Sequence, residues 1–247
     1  MQDQWRPELY YHIIGKAVAG RTLFVSEDDC RWFLRHVVRF KWYTCFEVLA
    51  YCLCGNHFHL AVRTRHRNDA YALLRDRPPR SYSESDWRYL DDDIAYPEWV
   101  YNCFGGALSG LARRLNRQHG CGGQLLRTPT LHGLTDKGAP GVEFSRRLVA
   151  YVGLNYVKHR MGRFADGYPW SSVHEQHFGI IDHETLLAGF GGEEDYLRYH
   201  RDYLRRYGQR VIDFDEERLF AAVQPRLLEE ATGRWVRGEW RPERRLY

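Results

Sequence analysis

The sequence predicts an α+β protein in which helices flank an antiparallel sheet of the ferredoxin-like or RRM-like kind. Residues 10–18 (YYHIIGKAV) are rich in aromatic and β-branched side chains, which is typical of a strand. A stretch with apolar residues at helical spacing follows. Two more apolar runs, 45–54 and 57–64, are separated only by the turn-forming pair Gly55-Asn56. This order opens a β-α-β-β unit, which sheets of this kind use.

The start of the first helix is predicted from its capping residues. Ser26 is a favourable N-cap residue, and the acidic residues 27–29 suit the positive end of the helix dipole. The apolar stripe continues to Phe40, so we expect the helix to reach at least that residue.

The rest of the chain adds helices and one insertion. Residues 104–119 (FGGALSGLARRLNRQH) and 142–160 are predicted to be helical, and residues 124–131 are predicted to be extended. Residues 68–99 differ in composition, with two adjacent prolines and a run of three aspartates. We interpret them as an insertion with a short helix near 69–75.

Composition indicates a soluble protein. The 247 residues suffice for one domain with appendages or two small domains, and they are 44% hydrophobic and 28% charged. No apolar stretch approaches the roughly 20 residues that span a bilayer, and residues 1–7 lack the apolar core of a signal peptide. We therefore expect a cytoplasmic protein with no membrane partner, whose six cysteines are reduced thiols.

Two histidines one residue apart head the third predicted strand. Alternate residues of a strand share a face, so His57 and His59 project side by side while Phe58 points the other way. Two neutral imidazoles on one face form half of a divalent metal site. The alternative is a half-exposed strand that carries two surface histidines.

Cysteines precede this histidine pair. A zinc site that combines Cys52 and Cys54 with the two histidines is conceivable, but a Cys-x-Cys pair lacks the spacing of zinc knuckles. The sequence does not indicate which way the two pairs face across the Gly55-Asn56 turn.

A tyrosine and an asparagine stand four residues apart in the predicted helix 142–160. Tyr151 and Asn155 would be neighbours on one helix face. The phenol could act as a nucleophile, and the amide oxygen is a suitable ligand for Mg²⁺ or Mn²⁺. With His57 and His59 it would complete a three-ligand site beside Tyr151. The alternative is that Tyr151 is a core or interface aromatic.

Charge distribution points weakly towards nucleic acid. The net charge is +4, and arginines cluster along the chain, including Arg113, Arg114 and Arg117. Guanidinium groups suit phosphate oxygens. The alternative is a set of solvated helix faces.

Three motifs in order resemble the single-tyrosine transposases of bacterial insertion sequences, and most of all the REP-associated tyrosine transposases. Residues 55–60 (GNHFHL) resemble the HUH motif, histidine-hydrophobic-histidine. Residues 151–158 (YVGLNYVK) resemble the segment around the nucleophile of that branch, and residues 168–172 (YPWSS) match the segment that usually follows it. The resemblance covers about residues 10–203, with the insertion as an interruption.

The chain departs from the family pattern at several points. Gly55 and Tyr156 each stand where the family usually has proline, and residues 122–127 match the family only loosely. Tyr156 is a competing phenol, but five residues along a helix turn it roughly 140° away from Tyr151. On a regular helix, Tyr151 and Tyr156 therefore cannot both face the same metal ion.

The resemblance implies an HUH endonuclease fold over residues 8–175, followed by a helical, Arg- and Trp-rich extension over residues 176–247. It implies cleavage and rejoining of single-stranded DNA, with Tyr151 as the nucleophile that forms a 5′-phosphotyrosine bond. The expected metal is Mg²⁺ or Mn²⁺, and the residues implied are His57, His59 and Asn155 for the metal, and Arg113, Arg114, Arg117 and Lys158 for DNA.

The expected partner is single-stranded DNA with a hairpin, bound by a monomer or a homodimer. The sequence leaves two other activities open. A nucleic-acid-binding protein derived from a transposase would bind DNA without cutting it. A metal-dependent phosphoesterase would use water and form no covalent intermediate.

Overall fold

Four antiparallel strands form a sheet with the spatial order β2-β3-β1-β4. In chain order the strands are β1 (Tyr10–Lys16), β2 (Phe46–Cys54), β3 (His57–Thr64) and β4 (Thr130–Gly133). The structure is a computed structural model that describes residues 5–18, 20–43, 46–127, 130–133, 142–161, 168–174, 179–208, 233–236 and 239–242.

Helices pack on both faces of this sheet. Those in the described residues are α1 (Glu27–Tyr43), α2 (Arg67–Arg75), α3 (Glu84–Leu90), α4 (Tyr96–Gln118), α5 (Val142–Gly153), α6 (Asn155–Lys158), α7 (His183–Phe190) and α8 (Glu193–Tyr203). Short 3₁₀ turns lie at Pro79–Ser81 and Ser172–His174, and a π-helical turn at Leu204–Gly208 follows α8. No helix in these ranges is both long and apolar enough to cross a lipid bilayer.

The predicted α+β class, with an antiparallel sheet and flanking helices, is confirmed. β1, α1, β2 and β3 follow one another as the sequence predicts, and β4 returns to the sheet beside β1. The finer assignment, a ferredoxin-like or RRM-like sheet, remains a prediction.

The predicted start of α1 is confirmed by its capping contacts. The Asp29 carboxylate accepts hydrogen bonds from the backbone N–H groups of Val25 and Ser26, both at 2.9 Å. The Ser26 hydroxyl accepts one from the Asp29 N–H at 3.3 Å. These reciprocal bonds satisfy N–H groups that have no partner within the helix.

The two faces of the sheet differ because side chains alternate along β1 and β3. Gly15 and Phe58 are cross-strand partners, and a Cβ at Gly15 would lie 2.2 Å from the Phe58 ring. The absence of a side chain at Gly15 therefore lets the Phe58 ring lie across β1. There the ring packs on Phe33 of α1, and together with residues of α4 it lines a small apolar cavity. His57 and His59 flank Phe58 and project to the opposite face, over which α5 packs.

Part of the predicted insertion 68–99 belongs to a long helix. The short helix expected near 69–75 is present as α2, and α3 follows. However, α4 begins at Tyr96, well before the predicted start at Phe104. Pro97 fits the first turn of a helix, where a missing N–H is not needed. The buried stripe of α4 then includes Trp99 and Val100.

The helix predicted over residues 142–160 is divided in two, which corrects the sequence prediction. α5 ends at Gly153, Leu154 has φ −95° and ψ 8°, and α6 begins at Asn155. The Ser171 hydroxyl donates a 2.5 Å hydrogen bond to the Gly153 carbonyl, which in a continuous helix would accept the N–H of Val157. The Val157 N–H instead bonds to the Leu154 carbonyl at 3.0 Å.

The described part of the predicted extension 176–247 begins with helices that pack on α5, and α7 also contacts β2. The Asp182 N–H donates to the Val48 carbonyl and its carboxylate accepts from the Val48 N–H, both at 2.8 Å. The domain boundary after residue 175 remains a prediction.

A strand pair within this extension corrects the prediction that it is helical. β5 (Gly233–Val236) and β6 (Glu239–Pro242) form an antiparallel pair. Their sequences, GRWV and EWRP, contain the β-favouring residues tryptophan and valine. Residues 209–232, 237–238 and 243–247 lie outside the described residues.

Candidate active site

β3 places the two predicted histidines together on the face covered by α5. The ring centroids of His57 and His59 are 5.0 Å apart, with the ring planes at 81°. His57 is half-buried near the end of the hairpin, whereas His59 is only 5% exposed. The Asn56 side-chain oxygen lies 2.7 Å from His57 Nδ1. Because an amide oxygen only accepts, Nδ1 carries the proton, and in the neutral ring the lone pair is then at Nε2.

A third histidine, His12 of β1, joins this pair. His12 Nε2 lies 2.9 Å from His59 Nδ1, and the two rings stack with centroids 5.2 Å apart. Ile14, two residues after His12, is the cross-strand partner of His59, so all these side chains share one face. His12 is not among the residues that the sequence predicts for the site. Only the register between β1 and β3 reveals its position, and that register joins residues far apart in the chain.

Burial holds His59 in its neutral form. Burial lowers the pKa of His59 to about 2, and the nearby charged forms of His57, His12, His159 and Lys158 act in the same direction. His59 Nδ1 is engaged by His12, while its Nε2 is buried and has no hydrogen-bond partner in the part of the chain that the structure describes.

A fourth histidine, His159, approaches His57 from the end of α6. The two Nε2 atoms are 3.3 Å apart, and the ring centroids are 4.8 Å apart. Burial lowers the pKa of His159 to about 4, and the positive charges of His57, Lys158 and Lys16 lower it further. His159 is not among the residues that the sequence predicts for the site, although it directly follows the segment 151–158.

A thiol also belongs to this group. Cys54 is the cross-strand partner of His57 across the two-residue turn and is buried. A hydrogen bond with the Cys52 thiol, 3.9 Å away, lowers the pKa of Cys54. A hydrogen bond with His57 acts in the same direction, whereas burial opposes both.

Tyr151 of α5 stands over these histidines with its ring edge-on. Its ring centroid is 5.4 Å from that of His12 and 6.2 Å from that of His59. Its hydroxyl oxygen accepts a 3.3 Å hydrogen bond from Lys158 Nζ, and the ammonium lies 5.1 Å from the ring centroid. Tyr151 is half-buried, so its hydroxyl combines a fixed position with access from solvent.

Asn155 lies beside Tyr151 in spite of the break between α5 and α6. Its Nδ2 donates a long hydrogen bond, 3.4 Å, to the Tyr151 carbonyl. The residue is 1% exposed, and its Oδ1 has no hydrogen-bond partner among the described residues. A buried amide oxygen without a partner is costly, so it is a ready ligand for a cation.

The competing phenol is removed from the site. Tyr156 is fully buried and stacks on Tyr168, with ring centroids 5.3 Å apart and planes at 18°. Of the two tyrosines, Tyr151 alone contacts the histidine cluster.

The residues predicted for a divalent metal have a chemistry that fits one. His59 Nε2 and Asn155 Oδ1 are both buried and unpaired within the described ranges, and the His57 ring centroid lies 5.0 Å from that of His59. Imidazole nitrogens together with an amide oxygen suit Mn²⁺ better than Mg²⁺, which prefers oxygen ligands.

The arginines predicted to bind DNA lie in the other helical layer. Arg113, Arg114 and Arg117 are exposed on α4, and Arg114 lies 5.9 Å from the Trp32 ring of α1. α1 and α4 cover the sheet face that Phe58 enters, opposite to the histidines. Of the residues predicted for DNA, the structure brings only Lys158 to Tyr151.

Comparisons with known proteins give a likeness to a solved structure. No protein-family model matches the chain, and no curated protein matches it. Among solved structures the chain is similar to a REP-associated tyrosine transposase bound to a REP hairpin. The identity is 15% over 69% of this chain and 79% of that chain, with a TM-score of 0.41. The sequence motifs resemble the same kind of protein. Because the TM-score is below 0.5, we base the functional proposal on this chain's own residues.

Proposed function

We propose that this protein cleaves and rejoins single-stranded DNA, with Tyr151 as the nucleophile. One observation carries the proposal: a solvent-accessible phenol is held edge-on against the buried rings of His12 and His59 and receives a hydrogen bond from a lysine. A core aromatic would have neither the accessible hydroxyl nor the ammonium partner.

The reaction is a transesterification. The Tyr151 hydroxyl loses its proton to solvent and its oxygen forms a bond to the phosphorus. The bond from phosphorus to the 3′ oxygen breaks, and that oxygen takes up a proton to become a 3′-hydroxyl. The product is a 5′-phosphotyrosine link that keeps the energy of the phosphodiester, so the reverse step rejoins strands without ATP. Lys158 donates a hydrogen bond to the attacking oxygen and so holds that oxygen in position.

The proposed ligands of a divalent ion, Mg²⁺ or Mn²⁺, are His57, His59 and Asn155. The bound ion would supply positive charge against the non-bridging phosphate oxygens. The protein's contribution is to keep His59 neutral. Protonated imidazoles cannot ligate a metal, and the pKa of about 2 for His59 removes that competition at neutral pH.

We also propose that the sheet is the ferredoxin-like sheet of HUH endonucleases. The order β2-β3-β1-β4, with every neighbouring pair antiparallel and α1 between β1 and β2, supports this assignment. The proposed substrate is single-stranded DNA with a hairpin, which the resemblance of the sequence motifs implies, and the proposed compartment is the cytoplasm.

A denaturing gel tests the proposal. Wild-type protein is incubated with Mn²⁺ and a pool of 5′- or 3′-labelled single-stranded oligonucleotides that contain hairpins. We expect a labelled band at the mass of protein plus DNA, and a released fragment whose 3′-hydroxyl a polymerase can extend. Tyr151→Phe should abolish both, whereas Tyr156→Phe should retain them because Tyr156 lies in the core.

Two results would contradict the proposal. Cleavage without a covalent band would indicate a phosphoesterase that uses water. DNA binding that is equal in wild type and Tyr151→Phe, with no cleavage by either, would indicate a non-catalytic binding protein.

A further inference from the structure

Cys54, His57 and His159 converge at the outer edge of the histidine cluster. Their ligand atoms all lie within 4.8 Å of one another. Two strands and a helix end supply them: Cys54 and His57 face each other across the β2–β3 turn, and His159 directly follows α6. Cys54 is buried, while both histidines are half-buried, so one side of the group is open to solvent.

The geometry of the two histidines matches a tetrahedral metal site. Ligand nitrogens about 2.05 Å from a tetrahedral ion lie about 3.3 Å apart. His57 Nε2 and His159 Nε2 are 3.3 Å apart. His57 Nδ1 is fixed as a donor by the Asn56 side-chain oxygen, so the lone pair of the neutral ring at Nε2 points into the group.

The ligand set indicates which ion would bind. One thiolate and two imidazoles are the ligands of Zn²⁺ in sites with an open fourth position, and a sulfur ligand discriminates against Mg²⁺. This set differs from the proposed set of His57, His59 and Asn155, which contains no sulfur. The two sets share one residue, His57.

We propose that Cys54, His57 and His159 form a zinc-binding site that competes with the catalytic ion for His57. Binding of Zn²⁺ releases the Cys54 thiol proton to solvent and leaves a fourth position for water. The zinc-binding site is inferred from the geometry of these three residues alone, whereas the competition for His57 rests on the proposed function. Zinc would then inhibit DNA cleavage, and removal of the thiol would relieve that inhibition.

Cobalt titration of the whole protein tests the site without any activity assay. Co²⁺ replaces Zn²⁺ in such sites, and a thiolate ligand gives an intense charge-transfer absorption in the near ultraviolet that imidazole ligands do not give. We expect this absorption to appear with one equivalent of Co²⁺ and to disappear when Zn²⁺ is added. Cys54→Ser should abolish it, and His159→Gln should weaken Zn²⁺ binding by more than about 100-fold.

Cys52→Ser is the matched control. Cys52 lies on the same strand, faces the same side as Cys54 and is equally buried, yet it is outside the group of three. This variant should retain the absorption because all three ligands remain and the serine hydroxyl can replace the hydrogen bond between the two thiols. His159→Gln changes a half-buried residue, so it provides a second test if Cys54→Ser does not fold.

The inference is overturned if wild-type protein shows no thiolate absorption, or if Cys54→Ser and His159→Gln bind Zn²⁺ as tightly as wild type. The short distance from His57 to His159 would then be an ordinary hydrogen bond. Absorption without any DNA adduct would support the zinc site while the proposed function fails. An adduct that Zn²⁺ does not inhibit, in a protein that shows the absorption, would overturn the competition.

Discussion

At the scale of single residues, Tyr151 and Tyr156 show how surroundings assign roles to identical side chains. Tyr156 is fully buried against Tyr168, whereas Tyr151 remains half-exposed and contacts His12, His59 and Lys158. A buried phenol cannot reach a DNA backbone without unfolding its surroundings. The choice between the two tyrosines therefore follows from packing and not from their intrinsic reactivity.

Lys158 should act on the rate of cleavage more than on the affinity for DNA. Its ammonium donates to the Tyr151 hydroxyl oxygen, so Lys158→Gln removes the group that positions the attacking oxygen. We expect cleavage at saturating DNA to slow roughly tenfold to a hundredfold, with a much smaller change in the dissociation constant. Single-turnover rates and equilibrium binding measured on the same oligonucleotide separate the two effects.

Lys16→Gln is the control for this prediction. Lys16 is exposed on β1, pairs in register with His57 and also lowers the pKa of His159, but it makes no bond to Tyr151. It should leave the cleavage rate nearly unchanged. If Lys158→Gln weakens binding and leaves the rate alone, Lys158 has only the phosphate-binding role that the sequence motifs imply.

At the scale of elements, the sequence predicts the framework of the site better than its details. β1, α1, β2 and β3 could be predicted because alternation, helical periodicity, the Ser26 cap and the Gly55-Asn56 turn are local signals. The same signals place His57 and His59 on one strand face. The sequence alone therefore identifies the element on which the histidine cluster is built.

Long-range contacts account for what the sequence does not predict. The break after Gly153 depends on the hydroxyl of Ser171, which bonds to the Gly153 carbonyl. The helical periodicity within residues 142–160 does not indicate that contact. His12 and His159 join the cluster through strand register and through the end of α6. Neither position has a signature in its own local sequence.

Gly153→Ala tests how closely the end of α5 packs on the 3₁₀ turn at Ser172–His174. A Cβ at this position would lie 2.5 Å from Val173 Cγ2, so the 3₁₀ turn at Ser172–His174 would have to move. We expect the free energy of unfolding to fall by roughly 1–3 kcal/mol, measured by urea denaturation.

Gly106→Ala provides the matched control within a helix. Gly106 is exposed in α4 and an added Cβ would meet nothing, so this change should raise the free energy of unfolding by about 0.5–1 kcal/mol. Val173→Ala introduced with Gly153→Ala should recover part of the loss. Equal stability of Gly153→Ala and wild type would show that the position tolerates a side chain and that the contact with Val173 is not tight.

At the scale of the whole molecule, the sheet separates two features that the sequence predicts to act together. Tyr151 and the histidines lie on the face covered by α5, and the basic face of α4 lies in the opposite layer. A DNA strand that binds Arg113, Arg114 and Arg117 must therefore pass round an edge of the sheet to reach Tyr151. Binding and cleavage should respond to different substitutions.

Removal of the three α4 arginines should change the salt dependence of binding. Each phosphate contact on single-stranded DNA contributes about 0.7 to the slope of log affinity against log salt concentration, so three substitutions to glutamine should reduce the slope by about 2. The cleavage rate at saturating DNA should stay the same, because these residues do not touch the site.

A second triple variant controls for the lost charge. Arg198, Arg201 and Arg205 are exposed at α8 and the turn after it, and two of them pair with neighbouring aspartates. Their substitution by glutamine should leave the slope nearly unchanged. The same reduction in both triple variants would mean that net charge, and not the surface of α4, attracts the DNA.

The most direct measurement of the central claim is the position of the nucleotide on the protein. After reaction with single-stranded DNA and Mn²⁺, nuclease and trypsin leave a short adduct on the peptide 148–158, which contains both Tyr151 and Tyr156. Fragmentation by tandem mass spectrometry assigns the modified residue. We predict that the 5′-phosphate is attached to Tyr151. Attachment to Tyr156 or to any other residue, or an unmodified peptide from DNA that has been cut, would contradict the account.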